Sequence, residues 1–288
     1  MAKSKVGGSR AYIRGRIGAD VYSIGKDGKG TRQQVVRSLA EQVSNPRTES
    51  QMFGRMVMST VMQAVSALQP IIDHSFDGLP KGQPSISEFI RTNYALVKAD
   101  AIAHPAADND FGLNKYQEKG AKLGKYVVSK GSVPRNANLD ATEGKLSVYL
   151  GDGEKTVADF LANAGIDAEG YVTLVVIKAD GTGIFARLSV KAGVATSTVI
   201  SSANLTTIFE VDANASATLS FADGILLMTV SGIGASYAAD YIISRKENGA
   251  YVHSTATLLV VGDANFTSDV ALPTYPTGTQ QFLNGGDL

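Results

Sequence analysis

The chain has 288 residues, 44% of them hydrophobic and 19% charged, which is enough apolar material for one large domain or two smaller ones and fits no disordered class. It contains no cysteine, which excludes disulfides and thiolate metal sites. The formal net charge is zero but unevenly spread: residues 1–60 hold 11 Lys/Arg against 4 Asp/Glu, while residues 135–288 hold 8 against 16, so a basic head precedes an acidic tail.

Residues 1–17 are rich in glycine and arginine and lack periodicity. They predict a basic arm, ordered only where it lies on something, and without the apolar segment of a secretory signal. Two β-prone runs, Ala19–Ile24 and Thr31–Arg37, flank the glycine-rich GKDGKG and predict a β-hairpin. The clearest helical signal follows, between Asn45 and Phe76. Asn45-Pro46 ends what precedes it, and Thr48 with Gln51 has the spacing of a capping box. Phe53, Val57, Val61, Ala64, Val65, Leu68 and Ile72 recur at steps of three and four, and Met52, Met56, Met58 and Met62 widen that stripe. Pro70 is expected to end or kink the helix near Gln69. Ser85 and Glu88 form a second capping-box pattern, opening a helix to about Ala103 that should pack antiparallel to the first. Residues 18–125 therefore predict a hairpin plus helical domain.

The texture changes from Tyr126. Short runs rich in Val, Ile, Thr and Tyr predict strands at Tyr126–Ser129, Lys145–Leu150, Tyr171–Lys178, Gly183–Val190, Thr206–Val211, Ala217–Phe221, Gly224–Ser231, Ala238–Arg245 and Tyr251–Val261. Asp180-Gly181, Asp223-Gly224 and Asn248-Gly249 are hairpin signals. One short helix, Thr156–Ala164, is closed by Gly165. Residues 126–272 thus predict a β-sandwich-like domain, and residues 273–288 a C-terminal arm. The fold class expected is α+β, with an N-terminal β-hairpin and helical pair followed by a mainly antiparallel β-sandwich-like domain.

The search for chemistry yields no catalytic, cofactor-binding or metal site. His74, His104 and His253 lie far apart and lack metal-ligand spacing. Asp108/Asp110 and Asp152/Glu154 sit in loops without the bidentate glutamate of a calcium loop. The run Gly151–Thr156 lacks phosphate-loop spacing, and Gly232–Ser236 has glycine where a nucleophile elbow needs serine. Arginine offers more. Arg10, Arg14, Arg16, Arg32, Arg37, Arg47 and Arg55 cluster in and around the head, with Tyr12 and Tyr22 among them. Such residues can follow phosphates without reading bases, or can pair with the carboxylates of a neighbouring subunit.

The order Gly15-Arg16-Ile17-Gly18, Val21-Tyr22, Val36-Arg37-Ser38, then Asn45-Pro46-Arg47-Thr48-Glu49-Ser50-Gln51-Met52-Phe53-Gly54-Arg55 resembles a family of unknown function found in Bacteroidota genomes and phage-like sequences. Its signature is G-x-x-G, V-Y, V-R-S and N-P-R-T-x-x-Q-x-x-x-R. Ser244-Arg245, Asn248-Gly249 and Ser254 are similar to its C-terminal pattern, with Tyr251 and His253 where tryptophan and arginine are usual. The resemblance implies no activity, and its phage-like company implies a virion role. The expected function is a non-enzymatic structural protein of a phage-type virion, located there or in the host cytoplasm before assembly. Its expected partners are copies of itself or other virion proteins, without cofactor or membrane. The alternatives are a DNA-associated accessory protein using the basic head and a surface carbohydrate- or cell-binding β module; the missing signal peptide and tryptophan disfavour the latter.

Overall fold

A computed structural model of the chain describes residues 3–5, 12–18, 20–26, 32–38, 48–103 and 125–262. The protein is α+β and divides into two compact units, residues 1–46 and residues 47–288.

The first unit is an antiparallel sheet of strands β1 (Lys3–Lys5), β2 (Tyr12–Ile17), β3 (Asp20–Lys26) and β4 (Arg32–Ser38), in that spatial order. Strands β3 and β4 are the predicted hairpin. Strands β1 and β2 lie where a basic arm was expected. The turn from β2 to β3 passes through Gly18 at φ 61°, a left-handed conformation that glycine adopts without steric cost. Alternation of Arg14 and Arg16 with Ile13, Gly15 and Ile17 is the period of a strand, but glycine and arginine content hid it.

The second unit contains helices α1 (Glu49–Ile72), α2 (Gln83–Ala103), α3 (Val157–Ala164) and α4 (Leu205–Ile208). Its strands are β5 (Val127–Ser129), β6 (Leu139–Asp140), β7 (Lys145–Tyr149), β8 (Tyr171–Lys178), β9 (Gly183–Val190), β10 (Phe209–Ala213), β11 (Ala217–Ala222), β12 (Ile225–Val230), β13 (Tyr237–Glu247), β14 (Ala250–His253), β15 (Ala256–Thr257) and β16 (Leu259–Val261). A larger antiparallel sheet runs β10-β9-β8-β13-β14, with β16 also on β13. A four-stranded sheet runs β11-β12-β7-β6, and β15 pairs β5.

The two larger sheets face each other across one core. Leu146, Val148, Leu226 and Met228 of the smaller sheet meet Val172, Leu174, Ala186, Leu188 and Ile243 of the larger. The larger sheet's other face carries Val175, Ile177, Ala238 and Ile242, and these pack with Val57, Val61, Leu68 and Phe89 of α1 and α2. The architecture is therefore three layers, helices on sheet on sheet. Buried on both faces, β8 reads as the near-continuous apolar run YVTLVVIK. The described residues on either side of position 125 share this helix-side core, so the helical pair is a layer of the sandwich. An apolar helical stripe needs a partner surface, and here the sheet supplies it.

Local signals met mixed outcomes. Asp223-Gly224 (φ 50° and 72°) and Asn248-Gly249 (φ 52° and 82°) form tight hairpin turns with both central residues at positive φ, as predicted. Thr156 caps α3: its Oγ1 accepts from the Asp159 N–H, and the Asp159 carboxylate accepts from the Thr156 N–H at 2.8 Å. Thr48 precedes α1 in extended conformation, but its side chain makes no capping hydrogen bond. Ser85 lies inside α2 and donates to the Pro80 carbonyl at 2.9 Å. Pro70 does not end α1, which continues to Ile72; a proline in the last turn removes only its own N–H. Met52 and Met56 are buried, whereas Met58 and Met62 are exposed, so the stripe is narrower than the methionines suggested. The strand expected over Thr206–Val211 begins as the helical turn α4, and Tyr251–Val261 breaks into β14, β15 and β16.

Candidate functional site

In the N-terminal sheet the pairing register sets Arg16 of β2 opposite Val21 of β3, and Val21 opposite Arg37 of β4. Residues directly opposite share a face, so two exposed arginines flank one valine in a single cross-strand row. Arg16 Nε donates to the Gly18 carbonyl at 2.9 Å. Arg14, two residues before Arg16, occupies the same alternation and stands opposite Lys3. Arg32 stands opposite Lys26, in the other alternation. Arg55 belongs to α1 in the other unit, half-buried, with Nη1 3.7 Å from Met52 Sδ. Arg10 and Arg47 lie outside the described residues. Within the N-terminal sheet the register thus puts Arg16 and Arg37 in one row, with the Arg14 position in the same alternation and the Arg32 position in the other, while Arg55 belongs to the second unit.

Strand β4 is an edge: among the described residues it pairs only with β3. Gln34 to Ser38 are all exposed, including Val35 (37%) and Val36 (50%), as is Ile17 (48%) at the end of β2. Polar, charged and apolar side chains therefore stand together on one exposed strand.

The sandwich carries a cleft of about 380 Å³, lined by residues including Arg135, Asp140, Thr142, Asp240, Tyr241 and Leu259. The Arg135 guanidinium grips the buried Asp240 carboxylate through two hydrogen bonds, of 2.8 and 2.6 Å, and lies 4.2 Å from the Tyr241 ring centre. Asp240 also accepts from the Tyr241 and Thr257 N–H groups, each at 2.8 Å. The hydrogen bond to Asp240 holds the Arg135 pKa above its ordinary value, and burial pushes the Tyr241 phenol up. With four donors on one carboxylate, Asp240 is occupied as a fastener between β13, β15 and the segment before β6. It is poorly placed to act as a base.

Ser244, His253 and Asp77 also converge. Ser244 and His253 are direct cross-strand partners in the β13–β14 hairpin, and Ser244 Oγ lies 2.9 Å from His253 Nδ1. Asp77, however, accepts from the backbone N–H of His253 at 2.8 Å and from the Ser132 N–H at 2.9 Å. A Ser–His–Asp relay needs the carboxylate on the imidazole ring, and this arrangement lacks it. Sequence reading missed the Ser244–His253 pair. The signal was available: the Asn248-Gly249 turn fixes the register that sets these two residues opposite each other.

Burial lowers the His253 pKa; His74 and Arg187 push the same way and Asp77 opposes them. The unfolded chain, with an ordinary value of about 6.5, takes up a proton that the folded protein resists. The stabilisation is therefore full above about pH 6.5 and declines as pH falls from there toward the lowered folded value. Urea midpoints measured between pH 7.5 and 5.5 are expected to fall more steeply for the parent than for His253→Gln. Parallel curves would show that this histidine does not couple protonation to folding.

Among the described residues, no group of three or more His, Asp or Glu is placed to hold a metal ion, and no helix is long and apolar enough to cross a membrane. Compared with known proteins, the chain matches no family model, no curated protein and no solved structure.

Proposed function

We propose that the chain is a non-enzymatic structural protein that assembles through repeated copies, with the N-terminal sheet as a contact surface. One observation carries this reading: Ile17, Val35 and Val36 are exposed on a small sheet whose strand β4, among the described residues, is paired with β3 at the end of the strand order. A sheet of a few strands gains its stability by covering apolar side chains, and an open edge is a template for another chain. The acidic bias of residues 135–288 complements the basic head, which favours contact between copies. The sequence resemblance supports a phage-type virion as the setting, with other virion proteins as further partners and the host cytoplasm as the location before assembly.

A second reading, a DNA-associated accessory protein, is favoured by the Arg16–Val21–Arg37 row, since guanidinium groups on one face can neutralise successive phosphates. Light scattering on the purified chain separates the two. Assembly predicts a mass at multiples of 30.2 kDa that rises with concentration. A monomer at every concentration, with salt-sensitive DNA binding that weakens in the Arg16→Ala/Arg37→Ala double variant, would replace the assembly reading with the DNA reading.

A further inference from the structure

We propose that the cleft between β6 and β13 binds a small zwitterion, an aminocarboxylate whose carboxylate meets Arg135 and whose ammonium meets Asp140. The site lies wholly within the second unit and does not depend on the assembly reading.

At about 380 Å³ the cleft is at the small end of ligand pockets, sized for a compound of few heavy atoms. Leu139, Ala141 and Ala239 line it and are buried, so part of its wall is apolar and fixed by the core. Three charged residues line it as well: Arg135, Asp140 and Asp240. Asp240 is filled by its four donors and backs Arg135. Arg135 itself keeps 42% of its side chain exposed. Three of the five guanidinium N–H groups are used, two by Asp240 and one by the Thr255 carbonyl at 3.3 Å. The other two, on Nε and Nη2, donate to no carboxylate or carbonyl among the described residues. The bonds to Asp240 and the nearby Tyr241 ring fix the guanidinium plane, so a ligand need not order it. A buried ion pair gains little over apolar packing of the same volume. What this one provides is an oriented donor edge on a cavity wall.

Asp140, at the end of β6, supplies the opposite charge. Thr142 donates its N–H, at 2.9 Å, and its hydroxyl to Oδ1, while Oδ2 receives no bond from a described side chain. The Thr142 hydroxyl holds the carboxyl below the usual carboxylate range, so it is charged at neutral pH. Arg135 and Asp240 cancel, which leaves Asp140 as the uncompensated charge of the cleft. Each charged wall also rejects the ligand that the other would accept alone. A simple amine faces the guanidinium, and a simple carboxylate faces Asp140; a zwitterion satisfies both.

Saturation-transfer NMR on the intact chain tests the site with glycine, β-alanine, 4-aminobutyrate and 6-aminohexanoate. At least one is expected to bind with a Kd of about 1 mM or tighter. The amine and the carboxylate of the same carbon count should each bind about tenfold more weakly, since each lacks one charge-assisted contact. Asp140→Asn keeps the oxygen that Thr142 bonds and changes an exposed position, so it should melt like the parent. In that variant the advantage of the aminocarboxylate over the simple carboxylate should vanish. No saturation by any of the four below about 10 mM would overturn the site. An amine that binds as tightly as its aminocarboxylate would remove Arg135 from the contact and overturn the zwitterion. An undiminished preference in Asp140→Asn would place the binding elsewhere on the protein and overturn the assignment to this cleft.

Discussion

Val61→Asp is expected to abolish the cooperative unfolding transition of the second unit near room temperature. Val61 has no exposed surface and faces the cluster that joins α1 and α2 to the outer face of β8 and β13. Replacing it removes about 1.5–3 kcal/mol of apolar burial. An unpaired carboxylate in that layer adds several kcal/mol more, or must protonate. Total stabilities of about 5–15 kcal/mol leave little after such a loss. Met58→Asp, on the exposed side of the same helix, changes helix propensity without entering the core and should melt within a few degrees of the parent. Circular dichroism melts of the two variants make the comparison. A Val61→Asp protein that melts like Met58→Asp would show that this face of α1 is not core.

Asp240→Ala should be the most damaging single change at the cleft, costing about 3 kcal/mol, in the range for breaking a largely buried ion pair. Asp240 is 4% exposed and receives four hydrogen bonds, so its loss leaves the Tyr241 and Thr257 N–H groups without their acceptor and leaves the Arg135 guanidinium the Thr255 carbonyl at 3.3 Å. Arg135 keeps access to water at 42% side-chain exposure, which limits the penalty on its side. Arg135→Met alone should cost less, because Asp240 retains its two backbone donors. The double variant should lose less than the two single losses added together, since each partner's removal already ends the same interaction. Denaturant midpoints for the three proteins give the coupling directly. Additive losses would mean that the pair does not interact in solution.

These two sites differ in how far the sequence announced them. Val61 was legible because a helical period marks a face without reference to anything distant. Strands β8 and β9 were legible to the residue, as apolar runs bounded by Asp180-Gly181 and by polar turns. The Asp240–Arg135 pair was not: each is one charged residue among many, and only the pairing of distant strands brings them together. The same limit hid the three-layer arrangement. β8 pairs β13 across the whole of the smaller sheet's β11–β12 hairpin, and no local pattern names that partner. Thr48 had the right type and spacing for a cap yet makes no capping bond, so spacing permits a capping box without enforcing it. Among the arginines, charge was legible but facing was not. Arg32 and Arg37 share a strand at register positions of opposite parity, which a count of charges does not register.

The helix layer also sets a schedule. α1 and α2 are complete by Ala103, but the surface that covers them includes Ala238 and Ile242, far later in the chain. A ribosome working at about 5–20 residues per second needs about 7–30 s to travel from the end of α2 to the end of β13. For that interval Val57, Val61 and Leu68 are present without the β13 half of their lining. Slow codons between Ala103 and Leu258, a buried residue of the same layer, prolong the exposure of a sticky helical pair.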